Sequence, residues 1–187
     1  NFHLSSGTLT ISNEITGTLL WDHYATLAGA PTIASNGVLK VVNPGGSGGF
    51  PVTLSGVLTN YGLFLWPTGT YPAIVFSNGR LENMPDGLVD MQVDGGFYSD
   101  GSSAQVNNAG VIRKTVGLGT GAFYTGGGLQ NTGSLDIQSG ILQLPGNSLL
   151  AGGRLNCGLK SAADYGRVTF PGAASLAGAL SANLIGG

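Results

Sequence analysis

Residues 107–144 read NNAGVIRKTVGLGTGAFYTGGGLQNTGSLDIQSGILQL and contain one short phrase three times. Asn108-Ala-Gly-Val-Ile-Arg-Lys, Asn131-Thr-Gly-Ser-Leu-Asp-Ile and Gln138-Ser-Gly-Ile-Leu-Gln-Leu each pass through a glycine turn into an extended run with apolar residues two apart. The glycines of the first two phrases are 23 residues apart, within the period of solenoid repeats. The third follows the second after 7, the length of one strand and one corner. A phrase recurring at both intervals predicts a chain that winds through several strands per coil. The fold class expected is all-β, a parallel β-solenoid.

Outside this stretch the phrase returns as Ser6-Gly-Thr-Leu-Thr-Ile, Asn36-Gly-Val-Leu-Lys-Val, Ser55-Gly-Val-Leu, Tyr61-Gly-Leu-Phe-Leu, Asn78-Gly-Arg-Leu-Glu-Asn-Met and Asp86-Gly-Leu-Val-Asp-Met. Later it reads Gly152-Gly-Arg-Leu-Asn-Cys and Ala177-Gly-Ala-Leu-Ser-Ala. Gly37, Gly62, Gly87, Gly110, Gly133, Gly153 and Gly178 recur every 20 to 25 residues, which over 187 residues gives about eight coils. These glycines are read as structural corners, where a positive φ lets the backbone turn without a Cβ clash. After each corner the residues alternate. Leu9 and Ile11, Leu39 and Val41, Leu135 and Ile137, and Leu142 and Leu144 share an inward face, while Thr10, Lys40, Asp136 and Gln143 face outward. One coil cannot bury its apolar face alone; stacked neighbours do so together. The chain is read as one solenoid domain over 1–187, with irregular coils and loop excursions in 1–104 and regular repeats in 105–187.

Composition agrees. Glycine supplies 34 of 187 residues, and charged residues are 9%, against about 25% in an average globular domain. An apolar fraction of 42% gives enough surface to bury, and glycine without a strict triplet period excludes collagen. The net charge of −2 leaves no basic footprint for nucleic acid, and no apolar run is long enough for a membrane helix. Cys157 is the only cysteine, so no intrachain disulfide is expected; it reads as a small hydrophobe at an inward strand position.

Helical signals are sparse. Thr18 to Ala28 carries Leu20, Tyr24 and Leu27 at helical spacing, but Gly17 and Gly29 bracket it and no N-cap precedes it. An irregular or extended segment with packed aromatics is the preferred reading there. Asn43 to Pro51, NPGGSGGFP, is a loop excursion, and Leu65-Trp-Pro-Thr-Gly-Thr-Tyr-Pro is a turn with Trp66 held extended by Pro67.

Laid side by side, Asn107-Asn-Ala-Gly-Val-Ile-Arg-Lys and Asn131-Thr-Gly-Ser-Leu-Asp-Ile-Gln-Ser-Gly-Ile-Leu-Gln-Leu resemble the repeats of large bacterial secreted and surface proteins. These are the autotransporter-passenger and filamentous-adhesin types. Asp164-Tyr-Gly-Arg-Val-Thr-Phe-Pro-Gly-Ala-Ala-Ser-Leu-Ala-Gly-Ala-Leu is similar to a segment that follows such repeats, departing from it at Gly166, where the pattern carries an acidic residue. The resemblance spans about 105–185 and implies an extracellular β-solenoid at the cell surface. Its motifs specify architecture and include no catalytic residue.

Four carboxylates lie close together, Asp86, Asp90, Asp94 and Asp100. With Val89 to Val93 as a strand, Asp90 and Asp94 share an outer face and are the candidates for Ca²⁺ or for a carboxylate pair of the glycosidase kind. Against this, Asp86, Asp94 and Asp100 each precede glycine, ordinary turn chemistry, and no calcium-loop spacing is present. His3 and His23 are the only histidines, and Gly45-Gly-Ser-Gly-Gly lacks the strand-turn-helix setting of a nucleophile elbow. No catalytic residue, metal or cofactor is therefore expected. Trp21, Tyr61, Trp66 and Tyr71 are the candidates for partner or glycan contact, with a place in the core as the favoured reading of the first-half aromatics. Neither end of the sequence carries a polar cap, and few charges oppose self-association. The expectation is a non-enzymatic extracellular structural protein, a fibre subunit or adhesin stalk that assembles as a homo-oligomer or filament. A carbohydrate-binding or carbohydrate-active β-helix is the alternative.

Overall fold

A computed structural model of the chain describes residues 1–42, 51–69, 73–101, 104–146, 148, 150–172 and 176–186. Each extended run that follows a repeated glycine is a strand, and no helix occurs among the described residues. The strands follow one another around three flat faces, pairing in parallel with the equivalent strand one coil away. Face 1 holds nine, from Phe2–Leu4, Thr18–Trp21 and Val38–Val41 through Leu63–Trp66, Leu88–Met91, Val111–Lys114 and Ser134–Ile137 to Leu150–Leu159 and Leu176–Leu184. Face 2 takes Gly7–Ile11, Ala25–Gly29, Ala73–Phe76, Gly96–Ser99, Thr120–Tyr124, Gly140–Gln143 and Gly166–Thr169. Face 3 takes Glu14–Ile15, Thr32–Ile33, Arg80–Asn83, Gln105–Asn108 and Leu129–Asn131. The strand Val52–Asn60 serves both, bending from face 2 to face 3 at Gly56, φ 137°. The molecule is a parallel β-solenoid.

Six turns carry all three faces; beyond Asn131 the described strands continue on faces 1 and 2 only. The expected eight coils are thus corrected to six complete turns. The repeated phrase follows a glycine, and all three corners supply one (Gly7 and Gly140, Gly56 and Gly79, Gly62 and Gly133), so counting glycines cannot tell a full turn from a partial one.

Alternation within each strand becomes columns along the axis. On face 1, Leu19, Leu39, Phe64, Val89, Ile112 and Leu135 stack in register and are buried. On face 2, Val52, Ile74, Phe97 and Phe123 do the same. Phe97 stacks on Phe123 at 5.0 Å and meets Trp66 and Phe76 edge-on at 5.3 and 5.5 Å. Such aromatic contacts add about 0.5–1.5 kcal/mol each beyond area burial. Leu142 and Leu144 are buried as expected, whereas Leu9 and Ile11, in the first turn, are half-buried. Cys157 stands in the inward column below Ile137. Burial, then the Asp136 carboxylate, pushes its thiol up.

The corner glycines need correction. Among the seven at the repeat period, only Gly178 has a positive φ, 122°. The others are required by contact: a Cβ on Gly37, Gly62, Gly87, Gly110 or Gly133 would overlap a backbone carbonyl oxygen of the coil above. A Cβ on Gly153 would strike the Asn131 carboxamide. Glycine here sets how closely coils stack. The left-handed corners lie elsewhere, at Gly29, Gly117, Gly128 and Gly140, and at the non-glycine residues Tyr24 and Asn78.

Thr18 to Ala28 is extended, with strands Thr18–Trp21 and Ala25–Gly29 joined at the Tyr24 corner. Trp21 Nε1 donates to the Ala25 carbonyl at 3.1 Å, which satisfies the buried indole across that corner. The predicted excursion at Asn43 to Pro51 lies outside the described residues except for Pro51, as does the Tyr71 part of the turn after Leu65.

Candidate functional site

Between face 3 and face 1 the chain repeatedly spells Asn, one or more corner residues, then Gly. The asparagines end their strands and point inward because they continue the alternation of Leu58, Leu81, Val106 and Leu129. Asn60, Asn83, Asn108 and Asn131 are therefore stacked in register and buried. Asn60 Nδ2 donates to Asn83 Oδ1 at 2.7 Å, Asn83 Nδ2 to Asn108 Oδ1 at 2.6 Å, and Asn108 Nδ2 to Asn131 Oδ1 at 2.6 Å. Each amide nitrogen also reaches a main-chain carbonyl, those of Leu88, Val111, Ser134 and Gly133. Carbonyl oxygens only accept, which fixes the orientation of every carboxamide. The sequence places Asn108 and Asn131 in turns, leaves Asn83 within an extended run and gives Asn60 no separate reading. The signal that identifies them is an asparagine at the strand end recurring every 23 to 25 residues.

The acidic candidates separate. The strand carrying Asp90 ends at Met91, so Asp94 sits at the corner beyond it and does not share its face. Asp90 is buried on the outer side of face 1, where Arg113 Nη2 of the next coil reaches it at 3.2 Å and Gln92 Nε2 at 2.9 Å. Asp94 binds Lys114 Nζ at 2.7 Å with one oxygen and the Gly119 N–H at 3.0 Å with the other. Lys114 is fully buried; its ammonium also donates to the Val116 and Gly117 carbonyls at 2.7 and 3.3 Å. A lysine ammonium thus occupies the oxygen cage that the turn residues make. Among the described residues no cluster of three His, Cys, Asp or Glu is arranged to hold a metal.

The aromatic candidates also divide. Trp21 and Trp66 are 0% exposed and belong to the core, which corrects their reading as contact residues. Both are inward members of alternating strands. Tyr61 is 39% exposed, and Tyr71 lies outside the described residues. The aromatics the sequence reading passed over are Tyr98 and Tyr124, which stack at 5.1 Å on the outer side of face 2 and are 39% and 47% exposed.

A third cluster joins residues of successive coils. Asp22, nearly buried, receives His23 Nδ1 at 2.7 Å on one oxygen and His3 Nε2 at 3.0 Å on the other. Desolvation pushes the Asp22 carboxyl up, but the His23 main-chain N–H, the His23 ring and the His3 ring outweigh it and hold the group below its ordinary 3.8. His3 is one coil above Leu20, so the sequence distance hid the contact.

Two surface clefts flank the strands of face 3. One of about 590 Å³ is bounded by Arg80 and Gln105; another of about 150 Å³ by Glu82, Asn107, Ala109 and Gln130. An apolar hollow of about 490 Å³ at the first turn is lined by Phe2, Leu9, Ile11 and Ile15 and continues the core columns.

The fold and these interactions define a parallel β-solenoid protein braced by an internal asparagine ladder. No family model, curated protein or solved structure matches the chain. Among the described residues no helix is long and apolar enough to cross a membrane.

Proposed function

We propose that this chain is a non-enzymatic, extracellular structural element of a bacterial surface, a stalk segment or a subunit of a self-assembling fibre. The observation that carries the reading is the asparagine ladder. Four polar side chains in the interior are directed along the axis and joined from coil to coil by three hydrogen bonds. Hydrogen bonds in a low-dielectric core reinforce one another and hold one register, which suits a rod that must keep its length. The repeat resemblance over 105–185 points the same way, and 9% charged residues leave little repulsion against homo-oligomerisation by coil stacking or lateral contact.

Electron microscopy of the purified chain tests this. Rods or filaments whose length grows with concentration are expected. Monodisperse particles, with saccharide binding lost in an Asp90→Asn/Asp94→Asn double variant, would sink the fibre reading in favour of a carbohydrate-active one.

A further inference from the structure

On face 1, the strands from Val38–Val41 to Ser134–Ile137 present two outward rows to solvent. The first is Val38, Leu63, Leu88, Val111 and Ser134, stacked in register and half-buried. The second is Lys40, Leu65, Asp90, Arg113 and Asp136. A glycine precedes each of these strands, and the residues that follow them, Val42, Pro67, Gln92, Thr115 and Gln138, carry no charge. Four aliphatic side chains in line on an outward face, edged by polar ones, mark a surface that meets another molecule.

The charges beside this stripe say which molecule. Asp90, at the middle of the second row, is only 5% exposed, and its oxygens are taken by Arg113 and Gln92. Lys40 lies two strands to one side of it and Asp136 two strands to the other, each about 10 Å away at the usual strand spacing. Among the described residues Lys40 makes no ion pair, and the Asp136 carboxylate accepts from Gln138 Nε2 at 2.9 Å but meets no cation. A free cation and a free anion equally far from one centre complement themselves when the row is turned end for end, as a two-fold contact requires. Parallel, in-register packing would set Lys40 on Lys40 and Asp136 on Asp136, and opposed like charges disfavour it.

We propose that face 1 is the contact between two copies of this chain, packed face to face with antiparallel solenoid axes about a two-fold at the Leu88–Met91 strand. Leu88 then meets Leu88 of the second copy, Leu63 meets its Val111, and Lys40 meets its Asp136, the last two contacts occurring twice. The two Asp90 groups lie either side of the axis, each already held by its own Arg113. One strand beyond Ser134, Arg154 of one copy faces the uncharged Thr18 of the other. This assigns the lateral contact of the self-association proposed above and rests on that reading, but it requires no end-to-end stacking.

Sedimentation velocity of the full chain over a wide concentration range tests it. A reversible dimer is expected. Lys40→Glu, Asp136→Lys and Leu88→Glu, each an outward change, should raise its dissociation constant by about ten-fold or more, while Tyr98→Ser on face 2 should leave it unchanged. Mixed in equal amounts, the Lys40→Glu and Asp136→Lys variants should associate again. The introduced glutamate then faces the introduced lysine, and Asp136 of the first variant faces Lys40 of the second. Recovery on mixing also shows that both variants are folded. A monomer at every concentration, self-association indifferent to the three face 1 variants, or single variants that stay apart on mixing overturns the proposal. Face 1 dimers that never lengthen under the electron microscope uphold it and remove the fibre instead.

Discussion

Asn83 donates from Nδ2 to Asn108 Oδ1 at 2.6 Å across the boundary between two coils, and neither side chain is more than 2% exposed. The same nitrogen also donates to the Gly87 and Val111 carbonyls at 3.2 and 3.1 Å. One carboxamide thus closes its own corner, holds the corner of the next coil and passes the ladder on. A buried polar group is costly unless fully matched, so the position tolerates an amide of this length and little else.

Removing an interior rung should therefore cost more than removing an end one. Asn83→Leu leaves a donor on Asn60 and an acceptor on Asn108 without their partners, a loss of about 2–4 kcal/mol if each stranded group costs about 1–2. Asn131→Leu strands only the Asn108 donor and should cost about half as much. Denaturant midpoints with an unchanged slope would establish this order. Equal losses would mean that the rungs do not act as a chain.

Lys114 should be replaceable only together with its partner. Lys114→Met deletes the buried ammonium but leaves Asp94 and the Val116 and Gly117 carbonyls facing an apolar side chain. Removing one partner of a buried pair costs about 3–5 kcal/mol. Asp94 is 37% exposed, so water offsets part of this and about 2 kcal/mol is expected. Lys114→Met/Asp94→Asn should recover at least half of the loss in a thermal-melt double-mutant cycle. Additive losses would show that the pair contributes nothing.

The architecture was legible because it rests on period-two alternation and a 20 to 25 residue repeat, both properties of the chain alone. Leu39 and Val41, or Leu135 and Ile137, are buried as their spacing requires. The contacts that decide chemistry join residues about one coil apart, and there the linear reading stopped. Asp94 gave no sign that Lys114, 20 residues on, would turn inward to meet it. Trp66, held extended before Pro67, read as part of a turn, yet it closes a strand in which it alternates with Phe64, and both are buried. Asn108 and Asn131 looked like turn chemistry because asparagine favours turns; only the stacking of coils shows that they face Asn60 and Asn83 in one column.

Stability of the first turns should weaken in acid. The folded state holds the Asp22 carboxyl below 3.8 through His23 and His3, so its contribution is fully present above the unfolded value. It is lost as the pH falls below 3.8 through the folded value, when the carboxylate that accepts from both rings is protonated. Amide hydrogen-exchange protection over residues 2–29, referred to the intrinsic rate at each pH, should fall across that acid limb, and Asp22→Asn should abolish the difference between pH 5 and pH 3 arising there. Protection in that segment that does not change with pH would remove Asp22 as its source.

The corner glycines can be separated by contact and not by φ. Gly17 and Gly133 occupy the same kind of corner, between a face 3 strand and a face 1 strand, and neither has a positive φ. A Cβ on Gly17 meets no atom within 4 Å, whereas one on Gly133 overlaps the Gly110 carbonyl oxygen and the Ala109 carbonyl. Gly17→Ala should therefore be neutral or stabilise by about 0.4–1 kcal/mol through a less flexible unfolded chain. Gly133→Ala must push two coils apart at the ladder, where Asn108 bonds Asn131, and should cost about 3 kcal/mol, the upper end for overpacking. Chemical denaturation of the two variants distinguishes contact from backbone freedom as the reason for glycine: equal effects would return the corners to a role in turning the chain, and a large loss at Gly133 alone assigns them to coil spacing.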